Sequence, residues 1–288
     1  MNVYKYFSPR RVAVLENFLI KATQPYLSSD PFDMKPCFAE DITLGENTKK
    51  FCIESVVEIK HSELYSNRLR RNQKRLLRRN TSAFRRGLQK PNIIFNLNKQ
   101  YFLKMVKKFF QSLRSTSLIL CFTKNRDNLY MWDRYADGYS GFVIEFDEKH
   151  SFFNQDKNSI NKSLTAVEYT KIRPILSHIE VGKTNVFLTK HDGLKKEEEL
   201  RMTFNYEDAD QKKEGMHFFK LPPECITSII LGCSMKEKKR QSIYNLLNQK
   251  AYFNHVKLFQ AIIDHKLFKL NFYEINRNVN LQTLEERS

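Results

Sequence analysis

The chain has 288 residues, 41 % of them hydrophobic and 13 % aromatic, with 23 Phe and 13 Tyr; so much large apolar surface excludes a disordered protein. Its formal charge of +17 is unevenly placed. Residues 60–90 hold eleven Lys and Arg against Glu63, a local excess of 11 − 1 = +10, and the rest carries 17 − 10 = +7. That clustering points to an acidic partner, nucleic acid first and anionic lipid second, because positive charge gains most where phosphates are dense.

The opening Met1-Asn-Val-Tyr-Lys-Tyr-Phe-Ser has no apolar signal region, and no window approaches the roughly 20 apolar residues that span a bilayer. A cytoplasmic protein with no membrane partner is expected. Residues 9–23 read as a short helix, since Val12, Leu15, Leu19 and Ile20 recur at near-helical spacing behind Ser8 and Pro9. Pro25 and Pro31 then mark a turn-rich loop, in which Phe32 is an anchor and Asp30 and Asp33 are the polar groups it orients.

Residues 58–89 have helical character. Leu64, Leu69, Leu76 and Leu77 lie among Arg68, Arg71, Arg75 and Arg79, which share one face by steps of three or four. Residues 101–113 form a second amphipathic helix, with Phe102, Met105, Val106, Phe109, Phe110 and Leu113 on its apolar side. The period then changes. Short apolar runs at 118–122 and 141–146 predict strands on either side of a helix-and-turn segment beginning at Asn128. Further strands are predicted at 164–169, 199–206, 216–220, 227–233 and 267–272, with a helix at 236–248.

Many strands with intercalated helices and no regular βαβ beat predict the α+β class. The expected architecture is one domain over residues 1–288, built on a single mixed or antiparallel sheet and carrying a basic helical insertion at 58–90. Five Cys form no C-x-x-C pair, and seven His form no H-E-x-x-H or Cys/His cluster, so no metal is expected. Neither a Gly-rich phosphate loop nor a G-x-S-x-G elbow occurs.

Met131-Trp132-Asp133-Arg134-Tyr135-Ala136, continuing to Gly141-Phe142-Val143-Ile144-Glu145-Phe146, carries a family signature. It resembles the M-W-x-x-Y-A-x-x-x-x-G-x-x-I-x-F block of the bacterial domain-of-unknown-function family numbered 2971. Tyr4-Lys5-Tyr6, Asp30-Pro31-Phe32-Asp33, Leu120-Cys121-Phe122-Thr123, Glu197-x-Glu199-x-Arg201 and Ile229-Ile230-Leu231-Gly232 follow that family's order. Ser29, Tyr139 and Leu194 depart from it, standing where members usually have Asn, His and Trp. A more distant likeness is to the ADP-ribosyltransferase fold, in which an early His or Arg with neighbouring aromatics grips NAD and a late E-x-E supplies the catalytic Glu. That likeness implies Glu199 as the catalytic carboxylate, Glu197 as its upstream partner, and Tyr4 or Tyr6 at the early position.

Two roles fit most of these residues. A carboxylate pair at Glu197 and Glu199 suits the oxocarbenium-like state of glycosyl transfer from NAD, yet Lys195-Lys-Glu-Glu-Glu also reads as a solvated charge run. Trp132, with Tyr4, Tyr6 and Tyr135, either stacks on a nicotinamide or base or plugs the core. Arg201 or Arg134 meets a pyrophosphate, or Arg201 pairs with Asp33 or Glu145. Arg68, Arg71, Arg75, Arg78 and Arg79 belong to a set of eight Arg and one Lys within 19 residues, suited to bidentate phosphate contact or to a solvated face.

Two functions are therefore carried forward. One is an NAD-binding, ADP-ribosyltransferase-like enzyme acting on or near RNA or DNA. The other is a non-catalytic nucleic-acid-binding module that displays the Arg-rich helix.

Overall fold

The computed structural model describes residues 2–28, 30–38, 99–155, 162–176 and 186–277. They fall into two compact units, the larger containing 2–28, 30–34, 114–155, 162–172 and 187–277 and the smaller 35–38, 99–113, 173–176 and 186. The expected insertion at 58–90, with Arg68, Arg71, Arg75, Arg78 and Arg79, lies outside the described residues.

In chain order the strands are β1 (Asn2–Phe7), β2 (Leu19–Ala22), β3 (Cys37–Phe38), β4 (Ser117–Thr123), β5 (Phe142–Asp147), β6 (Thr165–Ala166), β7 (Glu168–Thr170), β8 (Ile175–Leu176) and β9 (Thr189–His191). They continue as β10 (Glu199–Asn205), β11 (Gln211–Lys213), β12 (Met216–Lys220), β13 (Ile226–Leu231), β14 (Lys257–Ile263) and β15 (Leu270–Glu274). The α-helices among the described residues are α1 (Ala13–Asn17), α2 (Lys99–Thr116), α3 (Leu129–Tyr135) and α4 (Glu237–Gln249).

In the smaller unit β3 pairs in parallel with β8, and Phe38 meets Phe110 of α2 edge-on at 6.0 Å. The larger unit is organised by an eight-stranded sheet in the order β15-β14-β13-β5-β1-β4-β10-β6. Only β13 and β14, which are joined through α4, run parallel. A mixed sheet with separate helices is the α+β class expected from the sequence.

The pleat divides this sheet into two unlike faces, because successive side chains on a strand point to opposite sides. Val3, Phe7, Leu118, Leu120, Phe122, Ile144 and Leu200 belong to one large apolar cluster, closed by α1 and by Ile243 and Leu247 of α4. Tyr6 belongs to a second cluster on the other side, with Trp132, Val143, Ile230 and Ala261, and the partly buried Tyr4 packs against it. That second face carries the polar residues of interest, because Cys121, Thr123, Glu199 and Arg201 alternate with Leu120, Phe122, Leu200 and Met202.

Three sequence expectations change. Residues 9–23 do not form one helix: α1 stops at Phe18, whose φ of 55° is left-handed, and the side chain of Asn17 accepts a bond from Leu19 N at 2.9 Å. The chain then enters β2, where Ile20 and Ala22 alternate inward and pair with β12. The predicted strand at 164–169 is interrupted at Val167, whose N–H goes to Glu199 O at 3.0 Å, so β6 pairs with β10 and β7 with β9. Finally, the strand predicted at 267–272 begins only at Leu270 in β15, because Asp264 Oδ1 accepts from Lys266 N and Leu267 N and holds 264–269 as the turn after β14.

A tight crossing fixes the second face. Asn128 caps α3 by accepting from Met131 N, and after Ala136 the residues Asp137, Gly138 and Tyr139 all have positive φ. The loop then passes so close to β1 that a Cβ on Gly141 would sit 2.0 Å from Phe7 O. Gly141→Ala should cost about 1–3 kcal/mol or more through overpacking, read as a lower urea midpoint with an unchanged m-value; a midpoint equal to wild type would contradict this account of the crossing.

Candidate functional site

At the start of β10 the charged run Lys195-Lys-Glu-Glu-Glu is split by its backbone. Glu198 adopts a left-handed conformation with φ 44° and closes the 3-10 turn Asp192–Glu197. Lys195, Lys196 and Glu198 remain exposed, and Glu197 and Glu199 turn inward. The run is therefore half surface and half core.

The two carboxylates share one cation. Lys190, on the short strand β9, donates to Glu197 Oε2 and to Glu199 Oε2, the latter at 2.9 Å. Arg201, two residues along β10 from Glu199, lies on the same face with 1 % of its surface exposed. Its Nε and one terminal nitrogen grip the Glu199 carboxylate at 2.8 and 2.9 Å. That terminal nitrogen also reaches both oxygens of Asp33 at 3.0 Å, and the other donates to Phe187 O at 2.6 Å. Every nitrogen of the guanidinium is thus engaged inside the larger unit.

Further neighbours complete the set. The Tyr169 hydroxyl accepts from Glu199 N at 2.9 Å, and Thr123 Oγ1 donates to Glu197 O at 2.6 Å. Tyr135, 40 % exposed at the end of α3, donates its hydroxyl to Glu197 Oε1 at 3.0 Å. It joins the buried network to the surface. Two cations against three carboxylates give the fully ionised set a charge of 2 − 3 = −1.

Burial and charge act in opposite directions on these groups. Burial by itself would raise the Glu199 carboxyl, but the charge and hydrogen bonds of Arg201, with Lys190, outweigh it and bring the group from 4.5 down to about 2. Burial lowers Lys190, and the two carboxylates more than reverse this, holding it above its ordinary value. Burial likewise raises Asp33, with Arg201 and Lys190 pulling the other way. The Cys121 thiol is pushed up to about 12 by burial and by Glu199, so it is not a thiolate nucleophile near neutral pH.

The other sequence-predicted residues lie on the same face in different surroundings. Tyr4 donates to Glu145 Oε1 at 3.0 Å, beside Asn2 and Ser228, which donate to the same carboxylate. Tyr4 is raised to about 12 by burial and by Glu145, so it stays a donor. Tyr6 donates to Asn125 O at 2.9 Å and meets Trp132 edge-on at 5.3 Å. Trp132 is completely enclosed, its indole N–H on Arg126 O at 2.8 Å, and it presents no open ring face for stacking. Arg134 is exposed, 5.9 Å from the Tyr130 ring.

Of the two pairings weighed for Arg201, the structure has Asp33. The Asp30–Asp33 turn is held by the Asp30 side chain, which accepts from Phe32 N and Asp33 N; Phe32, expected to anchor it, is exposed. Lys190 and Tyr169 were not singled out, since a lone Lys between Thr and His, and a Tyr in a short strand, match no motif. A surface groove lined by Glu16, Lys238, Gln241 and Asn245 lies along α4, on the opposite side of the sheet from this network. Among the described residues no helix is long and apolar enough to cross a membrane, and no three His, Cys, Asp or Glu are grouped to hold a metal ion.

The class defined here is an α+β protein whose mixed sheet buries a carboxylate-rich ion network on one face. Residues 131–202 match the model of the family described as protein of unknown function DUF2971, which bears out the family resemblance over that stretch. It contains Trp132, Tyr135, Lys190, Glu197, Glu199 and Arg201. No curated protein and no solved structure matches the chain.

Removing Arg201 would leave Glu199 and Asp33 buried without their main cation. Arg201→Met should therefore cost about 3–5 kcal/mol of folding free energy, measured by urea unfolding, and a loss under 1 kcal/mol would show the network to be peripheral. Glu199 also sets an acid limit. Its folded value lies below its unfolded one, so its contribution is complete above about pH 4.5 and is lost as pH falls toward about 2. Glu199→Gln should flatten stability against pH in that window, and a slope equal to wild type would refute the assignment.

Proposed function

We propose that the larger unit is a cytoplasmic enzyme that binds NAD or a related nucleotide and transfers ADP-ribose. What carries this reading is the chain of contacts from exposed Tyr135 through Glu197 to Lys190 and Glu199. A carboxylate is thereby held one side chain beneath the surface, within a set of net charge −1. Cleaving the glycosidic bond of NAD sends its electron pair out with nicotinamide and leaves positive charge on the ribose. A fixed carboxylate stabilises that developing charge without reorganising.

The roles follow from access. Glu197 is the carboxylate for the ribose, reached when the Tyr135 ring swings aside. Glu199, both of whose oxygens are taken by Lys190 and Arg201, is a positioning residue. Arg201 is spent on the same network, so Arg134, exposed beside Tyr135, is the cation for the pyrophosphate. Tyr4 and Tyr6 stand on the same face of the sheet, with the enclosed Trp132 packed edge-on against Tyr6. The acceptor gives up a proton as its lone pair attacks the ribose carbon.

A second reading rests on the Arg-rich run Arg68, Arg71, Arg75, Arg78 and Arg79. That segment binds RNA or DNA through phosphates, either to present an acceptor to the enzyme or as the whole function. Such binding would weaken steeply with salt.

Thermal unfolding with NAD separates the readings. Wild type should gain stability saturably, by about 2.7 kcal/mol at a hundredfold excess over Kd; Glu197→Gln should abolish the gain, and Tyr135→Phe should reduce it. No stabilisation at millimolar NAD, together with RNA binding that survives Glu197→Gln and vanishes when Arg71, Arg75 and Arg79 become Ala, would replace the enzyme with the binding module.

A further inference from the structure

The hairpin formed by β14 and β15 ends in an apolar tip. Between the strands lies Asp264-His265-Lys266-Leu267-Phe268-Lys269, in which Phe268 is 101 % and Leu267 59 % exposed. Below them Ile263 is 64 % and Ile262 43 % exposed. Clustered exposed apolar groups of this size mark a contact surface.

The tip is pre-shaped. Asp264 Oδ1 accepts from Lys266 N and Leu267 N, both at 2.9 Å, and Oδ2 accepts from Asn271 Nδ2 at 2.9 Å. Asp264 N also donates to Lys269 O at 3.1 Å, and Lys269 N to Leu267 O at 2.8 Å. These bonds hold the carboxyl at about 2, the Asn271 bond foremost, so the tip keeps its shape across the physiological pH range. A fixed backbone presents Leu267 and Phe268 at low entropic cost.

Two features decide what covers it. Ile262 and Ile263 are successive strand residues and face opposite ways, so apolar groups surround the hairpin on both faces and at its apex. A flat rigid partner covers only one of those faces; a fluid apolar layer receives all of them. Lys266 and Lys269 bracket the Leu267–Phe268 apex, Lys269 lying 3.8 Å from the Asp264 carboxylate, and this locally basic apex complements an anionic surface. At the tip itself three of the four groups are aliphatic, exposed Tyr273 lying further down β15, and stacking on nucleic-acid bases needs aromatic ones.

We propose that this hairpin tip is a peripheral membrane-contact element, with Leu267 and Phe268 entering the acyl boundary of an anionic phospholipid bilayer and Lys266 and Lys269 meeting its headgroup phosphates. The contact crosses no bilayer and is independent of the nucleotide reading above.

The test uses the full chain with vesicles of phosphatidylcholine, with and without phosphatidylserine. Wild type should co-sediment with the anionic vesicles, and Leu267→Ser/Phe268→Ser, which leaves the net charge unchanged, should lower the partition coefficient about tenfold. Thermal unfolding of that variant should match wild type, the positions being exposed. A Phe268→Trp reporter, read against the enclosed Trp132 as the only other tryptophan, should shift to the blue on binding. Equal binding by the double variant, an unshifted reporter, or no anionic-lipid dependence would overturn the proposal. So would a variant that instead loses single-stranded RNA binding or breaks a solution dimer while its vesicle binding is unaltered.

Discussion

The guanidinium of Arg201 is the constraint around which the second face of the sheet is arranged. A cation with 1 % of its surface exposed would be prohibitively costly without partners, and here it receives two carboxylates and a backbone carbonyl from three separate segments. Asp33 comes from the loop after β2, Phe187 O from the turn before β9, and Glu199 from its own strand. The first two segments are irregular, and the third is a regular strand of seven residues. The ion network ties the irregular segments to that strand.

Lys190 extends the same logic outward. It cancels part of the charge that Glu197 and Glu199 place beside one another, and it does so from a strand of three residues whose pairing with β7 is brief. Tyr135 then carries the network to solvent. The gradient from a locked interior carboxylate to a half-exposed tyrosine distinguishes this region from an ordinary buried salt bridge, whose oxygens would end inside. It also leaves Glu197, more than Glu199, close to the surface through Tyr135.

Much of the candidate site was legible because its residues lie in motifs. The Met131–Phe146 block and the Glu197-x-Glu199-x-Arg201 spacing drew attention to Trp132, Tyr135, Glu197, Glu199 and Arg201, which lie on the second face. Their individual roles were not legible. Trp132 among three tyrosines has the same sequence appearance whether it is an enclosed plug or an open platform, and only its contact with Tyr6 and Arg126 O decides. Lys190 had no signal at all, since a single lysine in a short strand is indistinguishable from a solvated one until the carboxylates are placed beside it.

The sequence by itself determined the elements whose apolar period is local and clean. Strands β4, β5, β12 and β13 and helices α2 and α4 were all anticipated, the helices from their spacing and the strands as short apolar runs bounded by polar turns. It also determined the α+β class and the concentration of positive charge at 60–90. Tertiary structure decided the rest. Phe18 in a left-handed conformation turned an expected helix into α1 and β2, and Val167 gave its N–H to Glu199 O, cutting one expected strand into two. Glu198 separated two buried carboxylates from a charged run. In each case one backbone torsion or hydrogen bond, fixed by a partner distant in the chain, outweighed the local periodicity that a sequence displays.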